Sequence, residues 1–227
     1  MDNLVVSYKI LRKKFIDILT ETEREDTLLK KISNLLIVIG IVLVSYFGYQ
    51  YISFEESQAN TLAEAQQYIE ENDTHKTSDS RGKSNQSNAS NNDYKDFTAD
   101  YKEAFGTLQI PKLEKTIGIV EGADEDALSE GVGHMEQTAF PGQDEQIVLS
   151  GHRDTVFRNF GELEIGDSFV VNMPYGKHEY EIRDTEIVPE DDTSVVGKMG
   201  EEVLVVSTCY PFHFVGHAPE RFVAYAY

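Results

Sequence analysis

The sequence predicts an all-β (mainly β) domain with short helices, preceded by one transmembrane helix. Two observations carry the β assignment. Residues 106–227 hold a series of short runs rich in Val, Ile, Phe and Tyr: GTLQIPK, KTIGIVEG, EQIVLSG, DSFVVNM, HEYEIRDTEIV, EVLVVST and RFVAYAY. Such residues fit a pleated, half-buried surface, and the Gly, Pro, Asp and Asn clusters between the runs supply turns. About seven or eight strands in a region of this size close into a barrel or stack as a sandwich. No long helical pattern alternates with them, so a parallel βαβ sheet is not expected. The third observation lies upstream. Residues 32–52, ISNLLIVIGIVLVSYFGYQYI, contain no charge, and a bilayer-crossing helix needs about 20 mostly apolar residues.

In chain order, residues 1–31 are a cytoplasmic N-terminal segment of mixed charge. Leu4, Tyr8, Leu11, Phe15 and Ile18 recur at helical spacing, with Arg12, Lys13 and Lys14 between them. An amphipathic helix on an anionic membrane surface has this pattern, and so does a tail of marginal helicity. Residues 32–52 form the transmembrane helix. Tyr46, Tyr49 and Tyr51 gather toward one end, Lys30 and Lys31 precede it, and Glu55 and Glu56 follow. That asymmetry puts the N-terminus in the cytoplasm and everything after the helix outside the cell. A cleaved signal peptide is disfavoured: its apolar core spans only about 7–15 residues, and no small-residue cleavage site follows closely.

Residues 53–97 read as an extracellular stalk and disordered linker. ESQANTLAEAQQYIE consists of good helix formers. The stretch after it, NDTHKTSDSRGKSNQSNASNNDYKD, is almost all Ser, Asn, Asp, Lys and Gly and cannot bury apolar surface. Residues 98–227 are then the globular domain. Its one convincing short helix is ADEDALSEG, opened by acidic residues and ended by Gly131.

Composition excludes several functions. A net charge of −20 argues against nucleic-acid binding, which needs clustered Lys and Arg. A single cysteine rules out an intrachain disulfide and a thiolate-rich zinc or iron–sulfur site. No metal or other cofactor is expected. The acidic run PEDDTS (189–194) reads as a solvated loop, and His152 with Asp154 lacks a third ligand.

The lone thiol, Cys209, ends the apolar run 203–206. A free cysteine is most often a small buried hydrophobe. Outside the cell, however, an unpaired thiol is exposed to oxidation, and a strand end can present it to a cleft. A nucleophilic thiol also needs a histidine or a cation nearby. His152 stands in a matching context: in IVLSGHRDTVF, an apolar strand is followed by small polar residues and then the reactive type. Two adjacent strand ends in a barrel would bring His152 and Cys209 together. HRD also occurs in kinase catalytic loops, but the other kinase signatures do not accompany it. His134 sits in a glycine-rich turn, GVGHMEQTAFPG, with a site role and a local structural role both open. His75 falls in the linker, His178 on a strand surface, and His213 and His217 in the loop after Cys209. Arg221 opens the last strand. Directed to solvent it is inert. Directed at Cys209 it is a fixed cation beside a reacting carbonyl, where one donor to an oxyanion is worth about 3–4 kcal/mol.

Four segments then resemble the sortase family of Gram-positive bacteria, and class D sortases most: LSGHRDTVFR (149–158), STCYPFHFVGHAPERF (207–222), GTLQIPK (106–112) and EGVGH (130–134). The resemblance spans roughly residues 105–227. It implies an eight-stranded sortase β-barrel and a cysteine transpeptidase without a cofactor, with His152, Cys209 and Arg221 catalytic. The family signature T-L-x-T-C reads Val205-Val206-Ser207-Thr208-Cys209 here, with Thr208 and Cys209 kept. Thr208, Tyr210, Pro211, Phe212 and His134 are the substrate-binding candidates, and Thr208 packs in its strand on the alternative reading. The implied partners are secreted proteins with C-terminal LPxTG-like sorting signals, a cell-wall precursor amine (lipid II or peptidoglycan) and the membrane. Competing readings are another extracellular Cys–His cell-wall enzyme, such as an L,D-transpeptidase or a cysteine peptidase, and a non-catalytic stalked adhesion or sensor domain with Cys209 buried.

Overall fold

The computed structural model describes residues 2–79, 94–213 and 216–227. The linker residues 80–93, the side chains of the N-terminal stripe from Leu4 to Ile18, and His75 lie outside the described set. Helix α1 runs without a break from Asp2 to Asp79. The chain divides into two compact units, Met1–Ser53 and Phe54–Tyr227.

In the first unit, every residue from 32 to 52 is exposed, including Leu35, Val44 and Phe47. Among the described residues, α1 supplies the one helix long and apolar enough to cross a membrane. An apolar helix with no protein around it needs another apolar medium.

The second unit is a closed barrel of eight strands in the order β1-β2-β3-β4-β7-β8-β6-β5. The strands are β1 (Ala104–Ile110), β2 (Lys115–Glu121), β3 (Val132–His134), β4 (Gln146–Gly151), β5 (Ser168–Met173), β6 (Gly176–Pro189), β7 (Val203–Tyr210) and β8 (Glu220–Ala226). β1 pairs with β5 to close the ring, which removes free sheet edges. Two neighbours run parallel, β2 with β3 and β4 with β7. The first crossover carries the short helix α2, Glu125–Leu128, whose N-cap Asp124 accepts from the Ala127 amide. The glycine-rich turn expected around His134 is instead strand β3.

Period-two alternation sorts the side chains. The larger core cluster takes alternate residues from the strands, among them Leu108, Ile119, Leu149, Phe169, Ile182, Leu204 and Ala224, and so fills the barrel. A second cluster, Val148, Val188, Val203, Val205 and Val223, lies on the other face. Val195 and Val196, from the connection between β6 and β7, cover it. Gln146 fixes that connection, donating to the Val195 carbonyl at 2.8 Å and accepting from the Gly197 amide at 2.8 Å. Glu145 accepts from the amides of Met199 and Gly200, and these bonds lower its pKa.

The sequence reading placed residues 53–97 outside the globular domain, but the compact unit begins at Phe54. Thr61 and Ala65 of α1 are buried. Ala65 packs with Ala104, Val120 and Ala127, and Tyr68 packs against the barrel core. A Cβ on Gly118 would stand 2.8 Å from Cγ2 of Thr61 and 3.0 Å from the Leu62 amide nitrogen. The bare glycine lets the helix backbone lie against β2.

A polar network sits at another edge of the unit. Tyr180 donates to Glu202 at 2.6 Å, and Glu202 accepts the amides of Gly142 and Asp144. Burial raises the pKa of Tyr175 and Tyr180 and lowers that of the neighbouring His178.

Candidate active site

Register brings three of the expected residues to one place. β7 and β8 are antiparallel, with Cys209 directly opposite Arg221. β4 and β7 are parallel, with Gly151 beside Thr208. His152 leaves the end of β4 one residue beyond that pair. Residues side by side in a sheet share a face. Cys209 is in phase with Val203 and Val205 of the outer cluster and faces outward, as does Arg221 opposite it. Cys209 is half-buried, as are His152 and Arg221. The thiol is therefore accessible and is not a core residue.

Thr208, one residue earlier, has the opposite phase. It is 3% exposed, and its hydroxyl donates to the Gly151 carbonyl at 2.8 Å. Of the two readings of Thr208, this geometry fits packing in its strand: the side chain is buried and ties β7 to β4 immediately before His152.

His134, for which the sequence leaves a site role and a local structural role both open, lies inside the barrel wall. It is fully buried, with Nδ1 2.7 Å from Glu121 and Nε2 3.0 Å from the Ala139 carbonyl. Its ring stacks on Phe140 at 4.4 Å. Both ring nitrogens are engaged, so the residue holds β2, β3 and the following turn together. Its sequence signal, a histidine amid glycines, marks tight packing: a Cβ on Gly133 would stand 2.4 Å from the Gly122 carbonyl.

Tyr210, Pro211 and Phe212 continue from Cys209 across a cis Tyr210–Pro211 bond. Phe212 stands edge-on to Tyr210 at 5.3 Å and packs on Phe222 at 5.3 Å, which leans on Phe160. These aromatics continue from the core to the site. A cleft of about 450 Å³ lies between Phe212 and His213 on one side and the segment after His152 on the other, lined also by Arg153, Asp154 and Arg158.

Sequence reasoning missed two residues. Arg153 donates to the carbonyls of Pro211 at 2.9 Å and Gly216 at 2.7 Å. Glu190 carries His217 at 2.8 Å and lies 3.8 Å from the Arg221 guanidinium, which also donates to the Glu220 carbonyl. Arg153 belongs to the HRD run, but nothing local shows which carbonyls it reaches. Glu190 belongs to the acidic run, where Asp192 instead caps its own turn through the Ser194 amide. Among the described residues no three His, Cys, Asp or Glu side chains lie close enough to hold a metal ion.

A half-buried thiol with a histidine and an arginine on adjoining strand ends is an arrangement suited to acyl transfer through a cysteine. The Sortase domain family matches residues 108–227. Sortase D of Bacillus subtilis (strain 168) is 41% identical over 199 residues, covering 87% of this chain and 98% of that protein. Among solved structures, a Clostridium perfringens Sortase D5 transpeptidase shares the fold at a TM-score of 0.59 and 23% identity, over 75% of this chain and 97% of its own. Sortase C1 of Streptococcus agalactiae has a TM-score of 0.51 and 25% identity, over 72% of this chain and 89% of its own. The chain belongs to the sortase family of cysteine transpeptidases, in its class D.

Proposed function

We propose that the protein is anchored in the membrane by residues 32–52, with its N-terminus in the cytoplasm and its barrel outside. There it joins secreted proteins bearing LPxTG-like sorting signals to an amine of a cell-wall precursor. The observation that supports this reading is the Cys209–Arg221 cross-strand pair with Gly151, the residue before His152, beside Thr208, as a nucleophile, a cation and a proton carrier acting together would require.

In the proposed reaction the Cys209 thiolate attacks the Thr carbonyl carbon of the signal, and the developing oxyanion lies toward Arg221. The tetrahedral intermediate collapses with cleavage of the Thr–Gly C–N bond. His152 gives its proton to the departing glycine amine, leaving a thioacyl-enzyme. An incoming amine attacks the same carbonyl carbon and passes a proton to His152. The C–S bond breaks, a new amide forms, and the thiolate returns. Arg221 is suited to its role because a guanidinium offers several planar donors at fixed charge. The Lys30–Lys31 pair before the apolar run supports the orientation.

Mass spectrometry of the full chain in detergent, incubated with LPxTG-type peptides, tests the reading. A mass gain equal to the acyl fragment, localised to Cys209 and missing in Cys209→Ala, is the expected result. Acylation of the alanine variant, or acylation of Cys209 by stem peptides alone, would overturn it.

A further inference from the structure

We infer that Arg153 is a positioning residue for transpeptidation, acting on substrate through the connection that follows Cys209. The proposal rests on the reading of Cys209 and His152 given above. Arg153 follows His152 directly, and its guanidinium is bound to carbonyls beyond the thiol. It spans the connection between β7 and β8, with Nη1 on the Pro211 carbonyl at 2.9 Å and Nη2 on the Gly216 carbonyl at 2.7 Å. Both are short, charge-assisted bonds from one planar fork. Among the described residues nothing else donates to the carbonyls of Pro211, Phe212, His213, Gly216 or His217. The far end is held separately, by the Glu190 amide on the Pro219 carbonyl at 3.0 Å and the Glu190 carboxylate on His217.

The brace has a chemical consequence. Phe212 and His213 line the same cleft as Arg153, and Pro211 lies two residues from the nucleophile. One side chain thus fixes the segment after the cysteine to the segment after the histidine. Lysine keeps the charge but has a single nitrogen and cannot reproduce the fork. Arg153 touches no reacting atom in this arrangement, so its loss leaves the thiol's intrinsic chemistry intact and misplaces the wall against which a peptide must lie.

The test uses the full chain in detergent micelles with Arg153→Lys and Arg153→Met, and four readouts. Acylation by a sorting-signal peptide should fall about 10- to 100-fold in the Met variant, the scale of a misplacement of about 1 Å, and less in the Lys variant. Alkylation of Cys209 by iodoacetamide, a reagent too small to need the wall, should stay within about twofold. Backbone order parameters at Phe212, His213 and His217, read by 15N relaxation, should fall below about 0.6 in the Met variant. The melting temperature should move by less than about 3 °C. Unchanged order parameters at these residues, or unchanged acylation, would remove Arg153 from the role. A parallel fall in alkylation would assign it to the thiol itself and overturn action through the connection. If wild-type chain forms no thioacyl adduct, the transpeptidase reading fails, whereas the relaxation arm still shows whether Arg153 braces the connection.

Discussion

Replacing Thr208 with valine separates two roles for the residue before the nucleophile. The substitution keeps the branched shape and removes the hydroxyl. In the structure that hydroxyl is 2.8 Å from the Gly151 carbonyl within a residue only 3% exposed. The variant therefore loses one hydrogen bond and leaves a desolvated carbonyl. A typical bond contributes about 0.5–1.5 kcal/mol, and an unsatisfied buried group costs about 1–3 kcal/mol. Taking about 2 kcal/mol, a unit spanning Phe54–Tyr227 should melt about 4–8 °C lower. Thr208→Ser keeps the bond and loses one methyl, worth about 0.8 kcal/mol, so its melting point should fall by less. Calorimetry with steady-state kinetics on the same samples reads both effects. The structural reasoning predicts lost stability, a KM within about twofold of wild type, and a modest fall in kcat as the end of β4 before His152 loosens. A valine variant that melts like wild type but shows a large rise in KM would refute it and return Thr208 to the substrate.

Other outcomes follow from the same geometry. Arg221→Lys keeps a charge opposite Cys209 but not the fork, so kcat/KM should drop by about 10²- to 10³-fold in a peptide-cleavage assay; wild-type turnover would remove Arg221 from oxyanion stabilisation. His178 has its pKa lowered from 6.5, chiefly by burial. The folded state binds that proton less readily than the unfolded chain does. The residue's contribution is thus complete above about pH 6.5 and declines as pH falls toward the depressed folded value. His178→Gln should show a smaller loss of urea midpoint than wild type between pH 7.5 and 5.5, and equal losses would contradict this. Gly118→Ala drives a methyl against Thr61 and the α1 backbone; it should cost about 1–3 kcal/mol and speed amide exchange in residues 57–72, and unaltered exchange would show that the helix contact tolerates it.

Much of the barrel was legible because most of its strands are runs of β-branched and aromatic residues bounded by turn formers. β3 escaped notice because three residues, Val132–His134, are too few to show a period. The direction of Thr208 escaped for a different reason. β7 is apolar on both faces, with Leu204 and Val206 in one cluster and Val203 and Val205 in the other, so the run carries no polar alternation from which to read a phase. His152, Cys209 and Arg221 were visible as reactive types at strand ends and through a family resemblance. Arg153 and Glu190 were not, since their partners lie 58 and 27 positions away and nothing local encodes such contacts. The packing of Thr61 and Ala65 was not legible because they are small residues on a polar helix. Thr61 lies against Gly118 of β2 and Gly131 just before β3, and Ala65 against Ala104, Val120 and Ala127, none of them near in sequence.

The parallel pairing of β4 with β7 has a consequence for timing. Gly151 and Thr208 are 57 positions apart, with β5 and β6 between β4 and β7 in the chain; β8 then supplies Arg221 from the last seven-residue strand. Contacts of such long sequence separation close late, after local hairpins have formed. Along the chain His152 comes first, Cys209 next and Arg221 last. Cys209 comes to face Arg221 only when β8 has docked on β7, so the cross-strand pair is among the last contacts of the barrel to form.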